Sequence, residues 1–439
     1  MMNATPDEFP TIARVRQRFD QPEVDDPPGD VARAIRASKI RSRLSPGASV
    51  ALAVGSRGIA GLDLLVKAAV ATLKEMGYRP FVVAAMGSHG GGTEEGQQAL
   101  LAGFGVTESG VGCPVRCSME TVELGTNSFG LPIHFDRNAY DADGIVLLNR
   151  IKPHTSFTGR YESGLLKMMA IGLGKRQGAA QVHKLGLPGL KTMLPEVGTF
   201  LLARTKLALG IALLENAHER TAKVVGVEPE RILDEEPALL DEARRYMAHI
   251  PFDRFDVLLI GELGKNYSGT GLDPNVIGRQ RVETMPDLPR PVITRLAVLD
   301  LSPETHGNAN GIGLTDLTTE RAARGVDPKA TWVNCFTSNF LTRARVPLAL
   351  PEDRDVVATC LDTCWCVSRK EAKMVIIPNT LELGTLWITA PLADAAVRDP
   401  NLRIETDFLP IPWLDGGRLD QEWLFPESVR GRRGRNGHA

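Results

Sequence analysis

The 439-residue chain exceeds what one ordinary core holds and predicts two or three domains. Apolar residues make up 43% and charged residues 24%, the balance of a folded globular protein rather than a disordered one. Lys and Arg number 51 against 53 Asp and Glu, and aromatics are only 5%, so neither a wholly basic nucleic-acid surface nor a set of base-stacking platforms is expected.

Residues 1–30, acidic and proline-bearing, read as a loose arm without the basic start and apolar stretch of a signal peptide. From Ser49 the pattern becomes α/β. Val50-Ala-Leu-Ala-Val-Gly55 predicts a buried strand, and Gly61 to Met76 a helix with Leu62, Leu65, Ala69 and Leu73 on one face. Arg79 to Met86 predicts the next strand, Thr93-Glu94-Glu95 the start of the next helix, and Asp143 to Asn149 a further strand. Such alternation implies parallel strands with crossover helices, whose ligands sit at the carboxyl ends of the strands. Pro229 to Met247 predicts a long amphipathic helix, with a domain boundary near Pro251. Val257 to Ile260 and Leu296 to Leu301 follow as strands, Leu314 to Arg324 and Pro351 to Cys364 as helices. The expected fold is α/β: two α/β domains with mainly parallel sheets and an interdomain active-site cleft. Its parts are an arm (1–30), an N-terminal domain (31–250), a C-terminal domain (251–428) and a disordered basic tail (429–439).

Six cysteines in a chain this long do not form a disulfide framework, and their C-x3-C and C-x3-C-x-C spacings are not zinc-knuckle pairs. Buried free thiols are expected, in a cytoplasmic protein. No run of eighteen apolar residues occurs, so no membrane-crossing helix is expected. Gly87-Ser88-His89-Gly90 misses the glycine spacing of a nucleophile elbow, and Gly172-Leu-Gly-Lys-Arg-Gln-Gly178 fails both the P-loop and the dinucleotide patterns.

Strand-end residues remain. Ser56-Arg57-Gly58 follows the first strand of the α/β run; Gly87-Ser88-His89-Gly90-Gly91-Gly92-Thr93 follows the second and leads into a helix N-terminus suited to an anion. Asn149-Arg-Ile-Lys-Pro-His154 follows the third, and a glycine-rich, cationic stretch then runs through Lys167 to His183. Imidazole is a good ligand for nickel, zinc or copper, yet no HExxH or four-cysteine pattern supplies a full protein cage. Each residue also has a plainer reading: Lys167 as a helix-surface lysine, His183 as a buried polar residue, His306 as a turn residue.

In their order and spacing, Arg57, Gly87-Ser88-His89, Pro153-His154, Lys167 and His183 resemble the nickel-dependent lactate racemase family. The sixteen-residue interval from Lys167 to His183 looks the same as in that family, and Asp273-Pro-Asn275 resembles its Asp-x-Asn. The likeness spans roughly Ser49 to Arg281. Two departures stand out: Gly159-Arg-Tyr-Glu-Ser-Gly164 replaces a Gly-Phe-Ser-Gly-Gly block, and the run before Arg57 is reduced to Gly55-Ser56.

By resemblance, the chain is a racemase or epimerase of a 2-hydroxy acid that uses the nickel-pincer nucleotide (pyridinium-3,5-bisthiocarboxylic acid mononucleotide) made by dedicated cofactor-synthesis enzymes. The resemblance implies His89 and His154 as acid/bases, Arg57 on the substrate carboxylate, Lys167 as cofactor tether and His183 on nickel. Ser56, Gly90 and Gly91 are expected beside the cofactor, with Arg279 or Arg281 as a second substrate cation. The residue types suit that chemistry, because imidazole titrates near working pH and guanidinium grips a carboxylate by two bonds. Two rivals stand beside it: a nicotinamide-using or metal-independent oxidoreductase, and a non-enzymatic nucleotide- or anion-binding protein. Neither nucleic acid nor membrane is an expected partner.

Overall fold

Ile12–Gln17 (β1) form a strand where the surrounding acidic, proline-bearing sequence predicts a loose arm. Ile12, Ala13 and Val15 are fully buried, so six residues with enough apolar contact outweigh the polar stretch around them. A helix, Pro27–Ala37, also begins inside the expected arm; Asp26 caps it, its side chain accepting from the Gly29 amide. This computed structural model describes residues 9–56, 58–282 and 285–428, so the expected basic tail 429–439 lies outside the described residues. Two units result: Gln21–Met247, and Ala248–Ala439 together with Met1–Asp20.

The Gln21–Met247 unit is built on Ser49–Val54 (β2), Arg79–Ala84 (β3), Val115–Arg116 (β4), Gly144–Arg150 (β7), Leu207–Glu215 (β8) and Thr221–Val227 (β9), with Thr121–Thr126 (β5) and Pro132–Asp136 (β6) as a separate hairpin. Its sheet runs β4-β3-β2-β7-β8-β9 and is parallel except for the β8–β9 pair. Val50 to Val54 are all buried, the unbroken apolar run that a strand covered on both faces requires. The expected helix forms as Leu62–Glu75 and buries Leu62, Leu65, Ala69 and Leu73. Val54 lies level with Ala84 on one side and Leu148 on the other, so the chain leaves β2, β3 and β7 at one edge.

The other unit holds an eight-stranded sheet. Its strands are β1, Arg254–Leu263 (β10), Val292–Leu301 (β11), Leu317–Thr319 (β12), Leu348–Leu350 (β13), Met374–Ile377 (β14), Thr385–Thr389 (β15) and Leu402–Ile404 (β16), ordered β13-β12-β11-β10-β14-β15-β1-β16. The run from β13 to β14 is parallel; β15, β1 and β16 are added antiparallel. Leu258, Leu296 and Val375 enter one apolar cluster while Leu259, Ala297 and Ile376 enter another, so both faces of the sheet are covered. One expected helix changes: within 314–324, Leu317-Thr-Thr319 is a strand and only Glu320–Arg324 is α-helical, because β-branched Thr318 and Thr319 fit a fully buried strand position. All six cysteines are free thiols. Among the described residues no helix is long and apolar enough to cross a membrane.

Candidate active site at a strand edge

The turn after β3 is shaped by glycine. Gly87, Gly90, Gly91 and Gly92 all have positive φ, a region that side chains with a Cβ rarely adopt. The Gly87 amide donates to the Gly172 carbonyl at 3.0 Å, seating the turn on the segment that follows Lys167. Buried Gln97 reaches back from the next helix and donates to the carbonyls of Gly87 and His89 at 3.0 and 3.2 Å. His89 is exposed, and its Nδ1 is hydrogen-bonded to Ser56 Oγ from the loop after β2. Ser56 and His89 are thereby brought together. Gly92 lies against the Arg176 stem, where a Cβ would stand 2.9 Å from Cδ, so a cationic side chain borders the glycine turn that holds Gly90 and Gly91. Arg57 lies outside the described residues.

His154 is held differently. Its backbone amide donates to Glu162 Oε2 at 2.6 Å, and its Nδ1 accepts from the Ser156 amide at 3.0 Å. Glu162 is only 1% exposed; its Oε1 accepts from the Gly159 amide at 2.8 Å and pairs with Arg244 at 2.6 Å. The Phe157 ring packs on the imidazole at 4.5 Å between centroids. That phenylalanine also lines a cavity of about 350 Å3 with Gly159, Arg160, Tyr161, Lys191 and Leu233.

Lys167 ends the short helix Leu165–Lys167 and is followed by a π-helical turn, Met168–Gly172, of the kind that recurs at functional sites. Lys167 Nζ donates to Ser163 Oγ at 3.5 Å, and Ser163 pairs through its backbone with Lys152, so Lys167 is tied to the loop that carries His154. Buried Glu236 accepts from the Leu166 amide at 2.9 Å, and burial pushes its carboxyl up to about 7. His183 closes the helix Lys175–His183. Burial, aided by the nearby positive charge of Lys167, lowers its imidazole to about 4, which keeps it neutral with a lone pair available at neutral pH. Among the described residues no three His, Cys, Asp or Glu side chains gather as a metal cage.

The same helix begins with Lys175, a fully buried lysine. Its Nζ pairs with Asp136 at 2.9 Å and donates to the Ala84 carbonyl at 2.6 Å, clamping the β5–β6 hairpin to the end of β3. The sequence reading missed Lys175, Glu162, Glu236 and Arg244. Lys175 and Glu162 stood inside segments set aside as failed or altered motifs; Glu236 and Arg244 lie on a helix whose polar residues read as a solvated face.

Arg279, expected as a second substrate cation, is engaged within its own unit. It is 6% exposed, pairs with Asp316 at 2.9 Å, and donates to the carbonyls of Leu314, Ile293 and Thr294. A buried guanidinium so occupied holds its own unit together. Arg281 sits at positive φ between Asp287 and Asp316, at 3.7 and 3.5 Å. His306 is in a turn, as expected, at φ 48.

The family model of the lactate racemase N-terminal domain matches residues 21–191. Over this segment the chain is similar to that family. The segment holds every candidate of the strand edge from Ser56 to His183. In fold, the chain is similar to the lactate racemase apoprotein from Thermoanaerobacterium thermosaccharolyticum, with a TM-score of 0.51 at 10% identity over 87% of this chain and 96% of that one. No curated protein matches the chain in sequence.

Proposed function

We propose that the chain is a racemase or epimerase of a small 2-hydroxy acid, working at the strand edge that carries Ser56, His89, His154, Lys167 and His183. The observation that carries this reading is the match of residues 21–191, which hold all five of these side chains, to the lactate racemase N-terminal domain. Residues of that kind fit the nickel-pincer nucleotide. A neutral imidazole offers nickel one lone pair, and an amine can form the tether, so His183 and Lys167 would hold the group. When bound, that group supplies a redox centre that takes up and returns the hydrogen of the substrate's α-carbon. The glycine turn with Gly90 and Gly91, bordered by Arg176, supplies backbone amides and positive charge for the nucleotide phosphate. Arg57 is assigned to the substrate carboxylate. His89 and His154 serve the hydroxyl oxygen and its proton, for which imidazole has the right proton affinity.

The test is to produce the chain together with cofactor-synthesis enzymes and incubate it with single enantiomers of a panel of 2-hydroxy acids. Chiral chromatography should show the opposite enantiomer of at least one acid. Full retention of configuration across the panel by nickel-loaded protein would contradict the proposal.

A further inference from the structure

The segment after His154 shapes a cavity as well as a loop. About 350 Å3 of space lies between that segment, the helix Gly186–Arg204 and the start of the helix Ile232–Tyr246. Phe157, Pro195 and Leu233 give it apolar walls, while Arg160 and Lys191 bring two positive charges. Apolar walls with a few polar groups converging on them are the usual build of a small-molecule site. Asp234 and Glu236 stand within electrostatic reach of Tyr161, but no carboxylate lines the cavity. Among the described residues neither Arg160 nor Lys191 is ion-paired. Arg160 has only the Leu233 carbonyl at 3.4 Å and the face of the Tyr161 ring at 5.5 Å. Two uncompensated cations in one concavity favour an anion there.

The cavity adjoins His154. Phe157, one of its walls, packs on the imidazole at 4.5 Å between centroids. Glu162 holds the amides of His154 and Gly159 with its two carboxylate oxygens, so the rim at Gly159 stands one carboxylate's width from the His154 backbone. Tyr161 Oη donates to the Leu233 carbonyl at 2.8 Å and Arg244 to the Gly159 carbonyl at 3.2 Å, which fastens the rim to the helix Ile232–Tyr246. Arg160 also belongs to Gly159–Gly164, the block in which the sequence departs from the lactate racemase pattern.

We propose that this cavity is a subsite for a second acidic group of the substrate, and that the preferred substrates are 2-hydroxy acids whose far end bears a carboxylate. The proposal rests on the hydroxy-acid reading and names its substrate class. The reacting carbon stays at the histidines, the carbon chain passes Phe157, and the far carboxylate meets Arg160 and Lys191. A guanidinium grips a carboxylate by two bonds, and an ammonium adds charge without fixing direction. Neither cation touches the reacting atoms. They determine specificity through affinity and leave the chemical step to the strand edge.

The test compares 2-hydroxyglutarate with 2-hydroxypentanoate, which share a carbon count and differ in a terminal carboxylate against a methyl group. Nickel-loaded full chain should favour the diacid in kcat/KM by at least about tenfold, the weight of one charge-assisted hydrogen bond. The double variant Arg160→Gln with Lys191→Gln should erase that preference by raising KM for the diacid with kcat held, and leave the monoacid within about twofold. If the double variant folds poorly, Lys191→Gln alone carries the comparison, with a smaller rise in KM. Wild-type preference for the monoacid, or a diacid KM that the variants leave unchanged, overturns the proposal. A second measurement needs no turnover: ligand-detected NMR titration of glutarate into the metal-free full chain. Weaker binding by the variant is expected, and equal binding overturns the subsite. Glutarate binding that depends on both cations, beside kinetics indifferent to them, would give the cavity to a separate anion and overturn the substrate assignment. Wild-type protein that racemises no acid at all would defeat the hydroxy-acid reading, while the titration still decides whether the cavity binds a carboxylate.

Discussion

The segment that ends in His183 and the turn that carries His89 are packed against each other, yet they treat imidazole in opposite ways. His183 is half-buried and held neutral down to about pH 4, while His89 is exposed and bonded to a hydroxyl that tolerates either protonation state. On the proposed reading, desolvation suits His183 to ligation because it removes protons as competitors for the lone pair. Exposure beside a serine suits His89 to the proposed proton transfer.

Breaking the desolvated side should have the largest effect. His183→Ala is expected to lose bound nickel and racemisation together, read by elemental analysis beside chiral chromatography. Breaking the exposed side should cost rate alone: His89→Ala is expected to keep nickel and lose roughly 10²–10⁴ in turnover. The comparison sharpens through pH. For His183 the folded value lies below the ordinary 6.5, so its contribution to stability is present above about pH 6.5 and is lost as pH falls toward 4. Glu236 runs the other way. Its folded value is raised from 4.5 to about 7, so stability is greatest below about 4.5 and is lost as pH rises to 7, by roughly 3 kcal/mol at most. Urea melts of metal-free protein should therefore show Glu236→Gln as the more stable form at pH 8, with the gain vanishing near pH 4; equal stability at both values would remove Glu236 from this account. The smallest effect is expected from Ser56→Ala, which takes away a tolerant partner: a drop in kcat of less than about tenfold with KM unchanged.

Much of this was legible in the sequence where local pattern is strong. Val50 to Val54 declares itself as a buried parallel strand, and the glycines after Met86 mark a turn that only positive φ can make. The order from Ser56 to His183 placed the candidate residues on one stretch of chain. β1 was hidden because Ile12, Ala13 and Val15 become a strand only when β15 and β16, almost four hundred residues away, come to pair with them. Glu162 and Glu236 were hidden for a related reason. A carboxylate in sequence reads as solvated until the fold brings backbone amides to it, here those of His154, Gly159 and Leu166. The Arg279–Asp316 pair was hidden too, since nothing near Arg279 in sequence announces that partner.

The separation of metal holding from proton handling is tested most directly by nickel content per chain in His183→Ala and His89→Ala, each produced alongside the cofactor-synthesis enzymes. The account predicts nickel near the wild-type level in His89→Ala and almost none in His183→Ala. Nickel kept by His183→Ala and lost from His89→Ala would contradict it.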